Sequence, residues 1–383
     1  MSQALFSHVV IVGLGLIGSS LARDIHALGL VQHLSGVDPD EQNRSLLLRS
    51  GMLDAAYASV DELRSATPVM DADLLLIATS PSSWPEMVQC LPPLTHASSL
   101  IMDVGSVKAY AAELFTSAFV GHGTFIPCHP IAGNAGSGAS AGAQGLFDNR
   151  RIILCPAEGT AETPLRIADA FWQALGGIPE MMPAEVHDRI YALVSHLPQM
   201  VAYAAMHTLA PHIQHPLSDV LQPFLRLAGS PAALWTDIAM TNTAMLTEAM
   251  EVYLHLIAHM RGELLAGMDH ISEPKSDASI AAQLLPRLIA SSLVSTVSLS
   301  ERKHRLKMAP YAGTGFADVA SPAAQPPEDD MALISDYFTD VAALLEQFEA
   351  EFRTLFLAVR DRQADTMLRY MQEAQAKHRK LVN

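Results

Sequence analysis

The feature that most constrains this chain is an apolar β-branched run followed at once by a spaced set of glycines. Residues 8–12, HVVIV, read as a strand covered on both faces. GLGLIG follows at 13–18, and a helical stretch runs from Leu16 to Leu28, ended by Gly29. Strand, glycine turn and helix in this order open a parallel βαβ unit. Gly13 permits the tight turn, Gly15 lets the backbone approach a pyrophosphate, and Gly18 lets the helix pack closely on the strand. The N–H groups at the helix start, around Leu16 and Ile17, then favour the anion.

Asp38 lies 20 residues past Gly18, at the end of a second strand, HLSGV (33–37). Its carboxylate can accept hydrogen bonds from ribose hydroxyls and repels a 2′-phosphate, so NAD is expected in preference to NADP. Arg44 is near enough to soften that exclusion. DADLLLIAT (71–79), SSLIMDV (98–104) and RRIILCP (150–156) read as further strands, with a helix near 162–175. From about Pro183 strand signals vanish and apolar residues recur at helical spacing almost to the end. The expected fold is an α/β Rossmann-type dinucleotide-binding domain, 1–182, followed by an all-α helical domain. The helical part divides into a substrate and dimerisation domain, 183–272, and a second unit, 273–383. Residues 309–330, rich in Pro, Gly and acid, are expected to form a loop.

The second helical unit reads as a degenerate repeat of the first. FLRLAGSPAA (224–233) resembles FADVASPAA (316–324) with one gap, and WTDIAMTNTAML (235–246) matches ISDYFTDVAALL (334–345) without gaps. Asp237 aligns with Asp336, Leu246 with Leu345, and Asp318 stands where Arg226 stands in the first copy.

Composition narrows the partners. The chain has 383 residues, 50% of them hydrophobic, which is enough to bury a sizeable core. Forty acidic residues against 24 basic ones leave a net charge of −16, which argues against nucleic acid as the main partner. Cys90, Cys128 and Cys155 cannot all pair and lack metal-ligand spacing, so no metal is expected and a reducing cytoplasm is. Residues 9–18 resemble the core of a signal peptide, without a basic segment before or a cleavage site after. Residues 190–211 approach membrane-spanning length but carry His196, Pro198, Gln199 and His207, so we expect a buried helix and no membrane partner.

Several side chains carry chemistry. Thr79 and Pro81 follow the third clear strand, at the edge where open α/β sheets bind ligands. Ser106, in DVGSVK (103–108), would cap the following helix or face nicotinamide and substrate. His129, in CHPIAG (128–133), lies in a glycine-rich loop beside the dinucleotide site, and an imidazole titrates near neutrality, so it suits proton transfer. In SHLPQ (195–199), Pro198 frees the carbonyl of Val194 and kinks the helix, which can aim His196 and Gln199 into a cleft. Arg226 sits in an otherwise apolar stretch, so it is paired internally or binds a carboxylate.

Taken in order, GLGLIGSSLA, the Asp38 terminus, DVGSVK, HPIAG with GLF (145–147), HD (187–188) with SHLP, and the Arg226 stretch ending in LWTDI (234–238) resemble the TyrA family of prephenate and arogenate dehydrogenases. The resemblance covers roughly residues 8–265. It implies an NAD-dependent oxidative decarboxylation in tyrosine biosynthesis, with hydride leaving ring C4 and the ring carboxylate leaving as carbon dioxide. By the same resemblance His129 accepts a hydrogen bond from the 4-hydroxyl, Ser106 orients it, Arg226 binds a substrate carboxylate, and His196 matches the first histidine of the family's SHLPH. Gln199 replaces the second histidine of that motif, and Ala135 stands where many members carry glutamate. A neutral Gln199 would not repel the ammonium of arogenate. Other readings are a related dehydrogenase acting on 4-amino-4-deoxyprephenate or a β-hydroxyacid, a bifunctional protein with a chorismate mutase-like tail, and a non-catalytic NAD sensor. A homodimer is expected, or a monomer if the two helical units pack on each other.

Overall fold

In the computed structural model the apolar run at 8–12 lies in strand β1 (Phe6–Val12), inside a sheet covered on both faces. Val9 and Ile11 belong to one core with Leu21 and Ile25 of the helix Leu16–Leu28, while Val10 and Val12 belong to the other with Trp84 and Phe115. Consecutive residues are therefore apolar because both directions lead into a core. Each such buried aliphatic side chain contributes about 1.5–3 kcal/mol. The structure describes residues 5–66, 71–133, 136–213, 221–266, 277–324, 334 and 336–382. Ala135 lies outside them. The chain divides into two units, Met1–Asp188 and Arg189–Asn383.

The first unit holds β1, β2 (Val31–Val37), β3 (Ala55–Tyr57), β4 (Ala72–Ile77), β5 (Thr95–Asp103), β6 (Thr124–Pro130), β7 (Arg151–Leu154) and β8 (Ile178–Met181). Their spatial order is β3-β2-β1-β4-β5-β6-β7-β8, with every neighbouring pair parallel except β6 and β7. The order reverses between β1 and β4, the place where open α/β sheets leave a ligand crevice at their carboxyl ends. The helix Leu16–Leu28 ends as expected, with Gly29 in the left-handed region at φ 61°. β3, β6 and β8 were not foreseen. β3 is three residues long, and β6 reads TFIPCHP, whose two prolines mask its strand character.

The second unit is helical. All 13 residues of the helix Leu197–Leu209 are buried, as expected for 190–211. A π-turn at Ala192–His196 precedes Pro198 and absorbs the backbone bonding that the proline disrupts. The helix Ala278–His304 contains Pro286, within QLLPRLIA (283–290), a stretch similar to SHLPQMVA (195–202). That helix is also apolar and long enough to cross a membrane, but 61% of its apolar window is buried within the protein. Helix Thr243–Ala266 packs against helix Phe338–Arg360. Tyr253 meets Phe352 edge-on at 4.9 Å there, and the aligned Leu246 and Leu345 are both fully buried. The stretch expected to be a loop at 309–330 instead contains a helix, Thr314–Ala320, which buries Val319; residues 325–330 lie outside the described ones.

Candidate active site

The glycine turn is built as its spacing demands. Gly13 has φ 95°, and a Cβ there would lie 2.6 Å from the carbonyl oxygen of Ala78, just past β4. A Cβ on Gly18 would lie 1.9 Å from the Gly13 carbonyl oxygen. A Cβ on Gly15 would meet nothing within 4 Å, so the backbone is open to a ligand at that point. No side chain caps the helix that Leu16 and Ile17 begin, which leaves its first N–H groups suited to an anion.

Asp38 has a structural task that the sequence did not disclose. Its Oδ2 accepts the Leu14 N–H at 2.7 Å and its Oδ1 accepts the Asp40 N–H at 2.8 Å, which ties the glycine turn to the end of β2. A carboxylate has about four acceptor positions, so capacity for ribose hydroxyls remains. Arg44 donates to the carbonyl oxygens of Asp38 and Pro39, at 2.6 and 2.9 Å, and braces this turn. Beside Gly13 lies a pocket of about 280 Å³ lined by Val12, Val37, Pro39, Val60 and Thr79. The Thr79 hydroxyl donates to Met87 Sδ at 3.3 Å, and Pro81 is buried at the start of a short 3₁₀ turn. Glycine cradle, carboxylate and pocket together fit a dinucleotide.

Further along the same sheet edge, β5 ends in a buried ion pair. Lys108 Nζ donates to the Asp103 carboxylate and, at 2.6 Å, to the Cys128 carbonyl, so β5 is stapled to β6. Burial raises the Asp103 carboxyl above its usual range, against the pull of Lys108 and the Gly105 and Cys128 N–H groups. Ser106 is half-buried in the loop held by this staple. It does not cap the following helix, Ala109–Ala118. Asp188, 80 residues from Lys108 in sequence, does so instead: its two oxygens accept the N–H groups of Lys108 and Ala109 at 2.8 and 2.9 Å.

His129 is not in a loop, as the sequence suggested, but is the penultimate residue of β6, paired with Ile153 of β7. Its Nδ1 lies 2.8 Å from His187 Nε2, and His187 Nδ1 lies 2.8 Å from Asp188 Oδ1. The sequence offered the dipeptide His187–Asp188 only as a family mark. Burial pushes the Cys128 thiol well above its ordinary value and the Cys155 thiol to about 12, so neither supplies a thiolate at neutral pH.

The remaining candidates belong to the second unit. His196 is buried, with Nδ1 3.2 Å from Asn242 Nδ2 and its ring edge-on to Trp235. Gln199 is fully buried and donates to the Leu227 carbonyl at 2.7 Å. Arg226 departs from its expected burial: its side chain is 49% exposed and ion-paired with Asp318. In the helix Gln222–Ala228 the neighbouring Phe224, Leu225, Leu227 and Ala228 face inward while Arg226 faces out.

Comparison with known proteins gives consistent matches. Residues 21–179 match the sequence model described as prephenate dehydrogenase, nucleotide-binding domain; residues 183–270 and 275–373 match that of its dimerization domain. The chain is 31% identical over 267 residues to a cyclohexadienyl dehydrogenase of Zymomonas mobilis, spanning 68% of this chain and 88% of that one. It is 26% identical over 264 residues to a prephenate dehydrogenase of Bacillus subtilis, spanning 66% and 69%. A solved prephenate dehydrogenase from A. aeolicus, in complex with hydroxyphenyl propionate and NAD+, matches with a TM-score of 0.62 at 23% identity, over 80% of this chain and 99% of that chain. That last likeness is one of fold.

Proposed function

The chain belongs to the prephenate dehydrogenase family, and from that premise we propose that it performs the NAD-dependent oxidative decarboxylation of prephenate or arogenate in tyrosine biosynthesis, in the cytoplasm. The observation that carries this reading is the position of His129. It lies at the carboxyl end of β6, on the sheet edge that also carries Gly13, Asp38, Thr79 and Ser106.

NAD would be held by the glycine turn, the N–H groups at Leu16 and Ile17, and Asp38; its nicotinamide, when bound, accepts the hydride from ring C4. His129 takes the proton of the 4-hydroxyl as a carbonyl forms at C4, and Ser106 orients the two. Loss of the C1 carboxylate then makes the ring aromatic, which supplies much of the driving force. The protein mainly positions the reactants and stabilises charge at the ring oxygen. Arg226 binds a substrate carboxylate by charge-assisted hydrogen bonds, and His196 and Gln199 line the substrate's side. Gln199 carries no charge, so the ammonium of arogenate meets no repulsion from it.

The helical stretch after 272 acts as a degenerate repeat that packs on the first within one chain. The separate dimerization-domain matches and the mutual packing of matching helices support this. Steady-state formation of NADH with prephenate, arogenate and 4-amino-4-deoxyprephenate, each with NAD and NADP, tests the assignment. Turnover of either of the first two with NAD is the expected result; turnover of the amino analogue alone, or of none, overturns it.

A further inference from the structure

We propose that His187 and Asp188 are positioning residues that fix the tautomer of His129 and share the charge it acquires. The inference rests on the reading of His129 as the base. It uses only groups within the first unit: His129 Nδ1 to His187 Nε2 at 2.8 Å, and His187 Nδ1 to Asp188 Oδ1 at 2.8 Å. His187 is fully buried and Asp188 is 2% exposed, so these hydrogen bonds are shielded from competing water.

The direction of the chain follows from its far end. Asp188 accepts N–H groups from Lys108 and Ala109 at the start of a helix, an environment that favours the carboxylate. A carboxylate only accepts, so His187 Nδ1 must donate to it. A neutral His187 then has its lone pair on Nε2, and His129 Nδ1 must donate to that. The lone pair of His129 therefore resides on Nε2, the nitrogen that can receive the proton of a substrate hydroxyl. Were Asp188 unable to accept, His187 could donate from Nε2 to His129 Nδ1, and His129 would hold its proton on the wrong nitrogen.

The proton balance gives the chain a second task. As hydride leaves C4, the 4-hydroxyl proton passes to His129 Nε2 and the O–H electron pair forms the C4 carbonyl. As the C1–carboxylate bond breaks, its electron pair aromatises the ring and places negative charge on the C4 oxygen, which takes the proton back as a phenol. No net proton is released, so the base must hold one briefly and return it. An imidazolium whose Nδ1–H faces a second imidazole backed by a carboxylate can spread that charge without a proton leaving for solvent.

The test combines kinetics with a direct reading of the tautomer. Histidine ¹⁵N NMR of the intact protein, assigned by comparison with H129N and H187Q, should show His129 protonated at Nδ1 and bare at Nε2. H187A and D188N should lower kcat on the order of 10–100-fold with little change in KM, a smaller loss than the 10²–10⁴-fold typical of removing the base itself. They should also move the acidic limb of the kcat/KM pH profile. H187Q, which keeps an acceptor near Nε2 but cannot carry the proton, should recover part of the H187A loss. Unchanged kcat and pH profile in H187A, or a proton on Nε2 of wild-type His129, overturns the proposal. If H187A fails to fold, as judged by thermal unfolding and NADH binding, H187Q and the wild-type spectrum decide. A fully active H129N would instead overturn the reading of His129 as base, which separates the two failures.

Discussion

Arg226 and Asp318 are ion-paired, and they also align with each other in the sequence match between 224–233 and 316–324. On the proposed repeat, the pair would lie at the axis relating the two copies. In a strict two-fold arrangement that axis would bring two arginines together; aspartate in the second copy turns repulsion into attraction. Arg226 thus has a partner within the chain, at a pair half open to solvent, which a substrate carboxylate would have to displace.

The consequence for binding can be measured. Loss of a charge-assisted carboxylate contact costs about 1.5–3 kcal/mol, or roughly 10–150-fold in affinity. We expect R226A to raise KM by that order while kcat changes far less. D318A should lower KM, because the guanidinium is released for substrate, and should cost under about 1 kcal/mol of stability, as exposed pairs do. Unchanged KM in R226A would remove Arg226 from the substrate site.

The glycine turn predicts opposite outcomes for two neighbouring substitutions. A Cβ at Gly18 would collide with the Gly13 carbonyl oxygen at 1.9 Å, a backbone atom that cannot yield. G18A should therefore destabilise the first unit, visible as a lowered Tm. Gly15 has φ −67° and open space, so G15A should keep its Tm. That open space is where we place the pyrophosphate, so G15A should lose NADH affinity by at least about tenfold in a fluorescence titration, on the order of one lost hydrogen bond plus steric displacement. Equal NADH affinity in G15A and wild type would place the dinucleotide elsewhere.

These contrasts also show what the sequence could and could not disclose. The helix Leu16–Leu28 was legible to its last residue because glycines mark both its ends. The expected strands at 8–12 and 71–79 were legible from apolar runs, since both faces of a parallel sheet are buried, and that at 33–37 from its place before Asp38. β6 was not, because Pro127 and Pro130 read as loop residues, and this misplaced His129. The partners of His129 were beyond reach for another reason. His187 is 58 residues away, and Asp188 takes over the capping role expected of the local Ser106. Local patterns specify elements, whereas hydrogen bonds between distant elements are set only when the sheet edge is assembled. The exposure of Arg226 was readable in principle from helical phase, but apolar neighbours on four sides suggested burial.

Acid stability should depend on Glu248. Burial pushes its carboxyl up, but hydrogen bonds from Lys303 and Arg189, with their charges, outweigh this and bring its pKa down to about 2 from an ordinary 4.5. Its Oε2 accepts from Arg189 at 2.6 Å and its Oε1 from Lys303 at 2.6 Å, so it joins the helices Thr243–Ala266 and Ala278–His304. The folded value lies below the unfolded one. Stabilisation is therefore complete above about 4.5 and is lost as pH falls through about 2. E248Q should lose about 1 kcal/mol at neutral pH, a value kept small because the Lys303 side chain is 60% exposed. Its Tm should also fall less steeply than wild type on acidification between those two pH values. Parallel acid limbs for the two proteins would contradict the assignment.

The proposed repeat makes a prediction about mass. Helix Leu197–Leu209 packs on Phe338–Arg360, and Ala278–His304 packs on Thr243–Ala266, while Phe338–Arg360 and Thr243–Ala266 also pack on each other. On the proposed repeat, this reciprocity is what an isologous interface requires between two identical subunits. On the proposed repeat, the second stretch covers the surface through which two chains would otherwise pair. We expect sedimentation equilibrium to give a single species near the chain mass of 41.2 kDa across a wide concentration range. Deleting the second copy should expose the apolar faces of Tyr253 and Leu246, both now fully buried, and drive the remainder to dimerise or aggregate. A stable intact species of twice the chain mass would show that the repeat adds to the family's subunit interface and does not replace it.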